Sequence, residues 1–425
     1  MNSTSFSSKL RSALLESLLH KALNNKFLQK LILGFCKFIS FGSKDFKVFS
    51  LIWLDELSDN KSILIRAGRK TLAYPPHFLG RPQTSVAVTL PDIRCYIFSN
   101  AVVSARSSSV IIDDEYIVVE RAQVPDQEHH NYACGHIRIH NQNKAIVNMK
   151  PICQLNCGIF LGGNGSWNYY HWMLELLSKI EFISKLPNLE QGYKILVNED
   201  VVLTPSLKKT LNIFINSQSV NISLIILKNE INYLVKDLFY INSTSSLPFS
   251  LRGKFKFKCE YSSIDDKSII FLRETVFKSL LKNTGIVDGD EKIFLCRKNI
   301  RRNYNQNDVA NLLHKYGFKS VFIEDYDFLE QVRIIKQAKF IVGPTGAAWT
   351  NLIFASAGSK ALCWMADKAN DFSVYSNIAK IVGVDLRYIT YSSSVRATGD
   401  LYSEDYFIEL NEIESGLKAL GFQSR

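Results

Sequence analysis

The sequence predicts an α/β fold with a doubly wound, right-handed parallel sheet in its second half. Three observations point there. From KIFLCR onward, short apolar runs alternate with segments of helical spacing. Inside that alternation, KFIVGPTGAAWTNLIFA (339–355) reads as a buried strand running through a glycine turn into a helix N-terminus. Before it, residues 61–160 hold many short β-rich runs separated by Pro, Gly, Asn and Asp.

The chain has 425 residues, of which 46% are hydrophobic, and so has enough core for two domains of ordinary size. Its first fifty residues carry eight Lys or Arg against Glu16 and Asp45, with Leu, Phe and Ile at helical spacing from Leu10 to Ile39. The expectation for 1–55 is a basic amphipathic helix or helix pair, which either lies on an anionic membrane surface or packs on its own domain with a solvated basic face. The β-rich runs SILIRAG, SVAVTL, RCYIFS, SVIIDDEYIVVE, HIRIH, KAIVNM and CGIFLG follow. A helix beginning near Tyr169 then opens an α/β stretch, with strand KILVN, a helix from Thr204 to Ile215, and strands SLIILK and DLFYIN. The turn-rich INSTSSLPFS (241–250) marks a hinge, which divides a domain of residues 56–245 from one of 246–400. A bridging helix from Lys267 to Leu281 comes next.

The second half predicts strands KIFLCR, KSVFIED, KFIVG, KALCW and DLRYIT with helices QNDVANLLHKYGF, YDFLEQVRIIKQA, AAWTNLIFA and NDFSVYSNIAKIV between them. Gly317 suits a helix C-cap, and residues 401–425 close with a helix. Ligands of such a sheet sit at the carboxyl ends of its strands.

Composition bounds the function. The net charge of +11 favours an acidic partner, but no basic run interleaved with aromatics and no RRM, KH or zinc-finger pattern points to nucleic acid. No run approaches the ~20 apolar residues of a membrane span, and MNSTSFSSKL lacks the order of a secretory signal. The expected location is therefore cytoplasmic, with room for a peripheral position at the inner membrane face. Eight scattered cysteines read as reduced thiols. The segment 128–157 gathers His129, His130, Cys134, His136, His140, Cys153 and Cys157. Its spacing fits no zinc pattern well, and a metal there is left open.

Two places carry chemistry. At the end of KIFLCR stand Arg297, Lys298, Arg301 and Arg302, and two strands later lies the turn Gly343 to Ala347. Guanidinium forks and backbone N–H groups together suit a phosphate or diphosphate; each alone also occurs as a solvated loop or a ligand-free βα turn. In GGNGSWNYYHWMLELLSKIEF, a helix starts near Asn168 and puts His171 and Glu175 four residues apart on one face. An imidazole oriented by a carboxylate is a usable general base. Trp167, Tyr169, Tyr170 and Trp172 offer stacking faces for a sugar ring, or plain core packing. Asp113, Asp114, Glu115 and Asp126 are alternative acidic groups for the cleft.

WNYYHWMLELLSKI, then FLCRKNIRRNYNQNDVANLL, then DFLEQVRIIKQAKFIVGPTGAAWTNLIFASAGS resemble, in that order, glycosyltransferase family 61 over residues 155–390. The resemblance implies a GT-B architecture, two Rossmann-like domains facing a cleft, with nucleotide-sugar donor on the C-terminal domain and acceptor on the N-terminal one. It implies inverting transfer without a DxD-bound metal, with no cofactor beyond the nucleotide-sugar substrate. DGD (288–290) falls in a loop and DYD (325–327) at a helix start. Residue by residue, the family's motifs fall on Arg297, Arg302, Gln331, Gly346, Ala347 and Asn351 for the donor, joined by Gly343 and Thr345 of the turn, and on His171 for catalysis. Where members often carry His before the glycine this chain has Thr345, and where many carry Glu after the next strand it has Cys363 in KALCWMAD. The expected activity is transfer of a sugar to a hydroxyl of a growing surface polysaccharide, such as capsule, or of a lipid-linked glycan. The alternatives are another transfer on the same architecture, such as pyruvyl transfer, and a non-catalytic assembly subunit.

Overall fold

In the computed structural model the chain builds two large sheets that share one hydrophobic core. The structure describes residues 3–25, 27–39, 45–57, 61–120, 133–187, 192–247, 258–281, 290–298, 302–395, 401 and 403–422. His129, His130, Asp126 and Arg301 lie outside them.

Two helices open the chain, α1 (Ser3–Asn24) and α2 (Gln29–Ile39). Leu15, Leu19, Ala22 and Leu23 of α1 and Cys36 of α2 bury against Phe46, Ile139 and Ile146. Residues 45–53, placed by the sequence reading in this helical region, form strand β1 (Asp45–Trp53) instead. The apolar spacing of DFKVFSLIW satisfies neither period cleanly, and pairing with two neighbouring strands decides it.

Strands β2 (Ser62–Arg66), β3 (Arg69–Ala73), β4 (Val86–Leu90), β5 (Ile93–Ser104), β6 (Ser109–Ile112), β7 (Tyr116–Val119), β8 (Ile137–His140) and β9 (Lys144–Met149) follow as the β-rich region. With β10 (Ile152–Phe160), β11 (Tyr193–Asn198), β12 (Ile222–Leu227) and β13 (Asn232–Ile241) they make a mixed sheet of order β12-β11-β10-β13-β5-β6-β7-β1-β9-β8, with β2 also on β5; β3 and β4 pair apart as a hairpin. Within it β10 to β13 are parallel, in the spatial order 3-2-1-4. Helices α4 (Glu199–Leu203) and α5 (Pro205–Asn216) connect β11 to β12.

The predicted helix from Tyr169 is not one regular helix. A single α-turn, α3 (Tyr169–His171), widens into a π-turn at Trp172–Leu176 and then tightens to a 3-10 helix at Leu177–Lys185. Nearly all of it is buried. Trp172 is held by its indole N–H donating to Thr210 Oγ1 at 2.8 Å, so packing and side-chain bonds override ideal pitch.

The bridging helix appears as α6 (Asp266–Leu281). All five strands predicted for the second half form: β14 (Lys292–Leu295), β15 (Lys319–Val321), β16 (Phe340–Pro344), β17 (Lys360–Ala366) and β18 (Asp385–Tyr391), all parallel, in order β15-β14-β16-β17-β18. Their connections are α7 (Gln306–Lys315), α8 (Phe328–Gln337), a 3-10 helix Ala347–Phe354 where an α-helix was expected, and α9 (Val374–Val382); α10 (Leu410–Ala419) follows β18. Gly317 sits just past α7 at φ +80°.

Side chains alternate across this sheet. Ile293, Leu295, Ile341 and Cys363 face α8, the 3-10 helix and α9; Phe294, Val342, Leu362 and Trp364 face α7 and α10. The first of these faces is continuous with the core around Trp172 and Phe182. Burying each of Trp349, Leu352, Ile353 and Phe354 is worth roughly 1.5–3 kcal/mol, so the two halves meet through packing rather than a bare linker. Residues 74–78 add a second tie: Tyr74 N–H donates to Asn377 Oδ1 at 2.6 Å, and Tyr388 N–H of β18 to the His77 carbonyl at 3.0 Å. Among the described residues, no helix is long and apolar enough to cross a membrane.

Candidate active site

The strand order of the second sheet reverses between β14 and β16. A crevice must open there at the carboxyl ends. A cavity of about 670 Å³ occupies this position. Asn168, Tyr170 and His171 line it from the first half, Leu247 from the segment that follows β13, and Arg297, Lys298, Arg302, Thr345, Gly346 and Ala347 from the second half.

Arg297 follows β14 directly. Its main chain is clamped by Gln306, whose Oε1 accepts from Arg297 N–H at 2.7 Å and whose Nε2 donates to the Arg297 carbonyl at 3.0 Å. Its guanidinium donates to the Thr345 carbonyl of the turn. Gly346 makes that approach possible: a Cβ there would stand 2.5 Å from Arg297 Nη2. Burial, and then the neighbouring Arg302 guanidinium, pull Arg297 below the usual arginine value. Arg302 itself sits at φ +58°, an uncommon conformation for a side chain of this size. Its Nη2 donates to Tyr391 Oη at 3.4 Å, while its buried Nε has no partner among the described residues. Tyr391 is stacked on Tyr406 at 3.8 Å and Tyr406 on Tyr304 at 5.2 Å, which stiffens this side of the cavity.

No carboxylate among the described residues is ion-paired with either guanidinium, whereas Lys298 is paired with Asp325. Glu324 also lines the cavity. Two half-buried like charges in one cavity favour an anion between them. The turn adds to this, although not through every N–H: Thr345 N–H is engaged by the Trp364 carbonyl at 2.9 Å. What remains is the first turn of the 3-10 helix at Ala347, which no side chain caps.

The opposite wall presents His171. Asn168 caps α3, its side chain accepting from Tyr170 N–H at 2.9 Å. His171 Nδ1 lies 2.8 Å from Glu175 Oε2. The other carboxylate oxygen, Oε1, accepts from Leu247 N–H at 3.1 Å. An ionised carboxylate can only accept, so the proton is on Nδ1 and Nε2 is the basic nitrogen. Gly165, at φ +73°, lies under the ring, and a Cβ there would come 2.7 Å from its carbon atoms.

One turn beyond Glu175 the ammonium of Lys179 is buried 5.1 Å from the Tyr240 ring centroid. Burial lowers its pKa, and Glu120 and Glu175 oppose that shift. Glu120 accepts from Tyr240 Oη at 3.1 Å and from Ser243 N–H at 2.6 Å. The wall behind His171 is thus a connected polar network. Sequence reasoning missed Gln306, Gly165, Leu247 and Lys179; the Glu175–Lys179 spacing was the one available signal among them.

Other expected site residues stand elsewhere. Glu175 lies behind His171, outside the cavity lining. Gly343 is inside β16, where a Cβ would press on Leu295 at 3.0 Å, so it serves close strand packing. Gln331 is buried in α8 with its Nε2 donating to the Tyr326 carbonyl at 3.0 Å. Asn351 accepts from Tyr169 Oη at 2.7 Å and joins the two halves. Cys363 is fully buried in β17, and burial pushes its thiol up. Of the four aromatics only Tyr170 lines the cavity; Trp172 is core, and Trp167 stacks under Arg106 at 5.1 Å.

Asp113 and Asp114 form an exposed left-handed turn with Glu115 beside it, away from the cavity. Asp327 is the N-cap of α8 in a capping box with Glu330, Asp325 pairs with Lys298, and Asp290 with Lys319 at 2.9 Å. Among the described residues, no group of three or more His, Cys, Asp or Glu is arranged to hold a metal. His136 of the cysteine–histidine segment is instead a core residue bonded to Ser109 Oγ at 2.8 Å.

The model of the family described as Glycosyltransferase 61 matches residues 169–362, a span that runs from α3 to β17 and includes both walls of the cavity. No curated protein matches the chain.

Proposed function

We propose that the chain is a member of glycosyltransferase family 61, as the match over residues 169–362 supports, and that it moves a sugar from a nucleotide-sugar donor to a hydroxyl of a growing surface polysaccharide or lipid-linked glycan, with inversion at the anomeric carbon. The observation that carries this is the meeting of His171 with Arg297 and Arg302 across one cavity of about 670 Å³. In this reading the two halves act as the facing domains of a GT-B enzyme. The diphosphate lies at the β14–β16 crevice, and the acceptor enters from the side of Asn168, Tyr170 and Leu247.

His171 Nε2 takes the proton of the acceptor hydroxyl as its oxygen bonds to the anomeric carbon. The bond from that carbon to the phosphate oxygen breaks, and its electron pair leaves with the nucleoside diphosphate. One displacement without an enzyme nucleophile inverts the centre. Glu175 keeps the proton of His171 on Nδ1 and stabilises the imidazolium that forms. Charge grows on the departing phosphate, and Arg297, Arg302 and the first turn at Ala347, which line the cavity, would stabilise it there; this is the larger electrostatic demand. In this assignment the guanidinium pair fills the role that a divalent cation plays elsewhere.

A thermal-unfolding panel with UDP, GDP, CMP, dTDP and ADP tests it. One nucleotide should raise the unfolding temperature, by up to roughly 2.7 kcal/mol of apparent stability at a hundredfold excess over its Kd, and Arg302→Ala should abolish the effect. No shift with any nucleotide would turn the reading toward a transfer without a nucleotide, or toward an assembly subunit.

A further inference from the structure

The face that α2 turns away from the protein is apolar. Phe27, just ahead of the helix, is wholly exposed, Leu31 and Phe38 are 74% and 75% exposed, and Leu28 and Phe35 are about half exposed. At ~100° per residue Leu31, Phe35 and Phe38 share one arc of the helix, and Phe27 and Leu28 stand exposed in the turn that leads into it. The opposite arc, with Ile32, Leu33 and Cys36, packs on α1 and on β1, β8 and β9. Exposed Lys30 and Lys37, seven residues apart, border the stripe on one edge, and Lys37 pairs with Asp45 at 3.2 Å. The sequence reading allowed a solvated basic face here. The structure gives a contiguous apolar stripe with a lysine border, a pattern that soluble monomers seldom leave uncovered.

We infer that this stripe docks on the surface of an anionic lipid bilayer. The helix lies in the plane of the membrane, with Phe27, Leu31, Phe35 and Phe38 at the boundary between headgroups and acyl chains and the lysines among the headgroups. Charge selects this occupant. Lys30 and Lys37 border the stripe, so a second copy seated on it would add like charges to the same contact, whereas acidic headgroups neutralise them. The inference goes beyond the transferase reading and stands or falls independently of it.

Co-sedimentation of the full chain with vesicles is the test. Binding to phosphatidylcholine–phosphatidylglycerol vesicles should exceed binding to phosphatidylcholine alone and weaken with salt. The triple variant Phe27→Ser, Leu31→Ser, Phe38→Ser should weaken it at least about tenfold, and Lys30→Glu about fivefold. Because these side chains are exposed, the unfolding temperature of each variant should match that of the parent. Equal binding by parent and triple variant would overturn the proposal, as would no preference for the anionic vesicles. A dimer in sedimentation velocity that the triple variant dissolves, without vesicle binding, would assign the stripe to a second copy instead.

Discussion

The wall that carries Arg297 and Arg302 grows out of regular parallel strands, whereas the wall that carries His171 comes from a chain that changes helical pitch twice between Tyr169 and Lys185. The first leaves two guanidinium groups without a carboxylate partner among the described residues; the second surrounds its histidine with Glu175, Leu247 N–H and the Lys179–Glu120 network. Unbalanced charge suits holding an anion. A fully partnered dyad suits moving one proton without rearrangement. The two walls should therefore fail in different ways.

The largest expected effect is on turnover. His171→Ala should lower kcat by about 10²-fold or more while donor Kd, measured by calorimetry with whichever nucleotide raises the unfolding temperature, stays nearly unchanged. Arg302→Ala should weaken donor binding as well as lower kcat, because it removes a guanidinium from the phosphate in both the ground and transition states. If His171→Ala weakened donor binding as much as Arg302→Ala, the division of labour between the walls would be wrong. Near-normal turnover would remove His171 from the chemistry.

Two glycines sharpen the same contrast with smaller effects. Gly165→Ala forces a side chain onto a residue at φ +73° and drives its Cβ to 2.7 Å from the His171 ring, which Glu175 holds in place. It should cost roughly 1–3 kcal/mol of stability, together with turnover. Gly346→Ala meets only the far end of Arg297, a flexible side chain, and its backbone is extended. Stability should change little, and donor affinity should fall as the guanidinium is displaced from the Thr345 carbonyl. Chemical denaturation and donor titration on both variants would read this out; a stability loss confined to Gly346→Ala would contradict it.

The same asymmetry decides what could be read from sequence. The second half was legible strand by strand, because each of KIFLCR, KSVFIED, KFIVG, KALCW and DLRYIT is a short apolar run between helical patterns, and a parallel sheet buried on both faces gives that signal. The pair His171 and Glu175 was legible because one helical turn separates them, a spacing that survives the change to a π-turn. The pitch changes were not, since apolar periodicity does not separate α from 3-10 over so few residues. Nor was the partner of Glu175 Oε1: it is a main-chain N–H at Leu247, which carries no residue identity. Resemblance carried Gln331 and Asn351 to the donor site, yet each finds its hydrogen bond inside the protein, to Tyr326 and to Tyr169. A motif residue can be placed by sequence order, while the direction of its side chain is decided by the nearest unpaired partner.

Acid should weaken the packing behind the histidine wall. His136 is wholly buried behind it; its Nε2 is bonded to Ser109 Oγ, and the adjacent Ser108 is tied to Asn164 in the turn that supports Gly165. Burial, and then the charge of Lys150, hold its imidazole down to about 3. The unfolded chain binds this proton near its ordinary value of about 6.5 and the native state does not, so stability is full above that value and falls as pH drops toward the folded one, by about 1.4 kcal/mol per pH unit. His77, lowered by burial and by Arg387, works in the same direction from the second half, so the His136→Gln variant isolates the contribution. Urea unfolding of parent and variant in the upper part of this window, above the range where carboxylates titrate, should show a shallower pH slope in the variant. Equal slopes would place the acid sensitivity elsewhere.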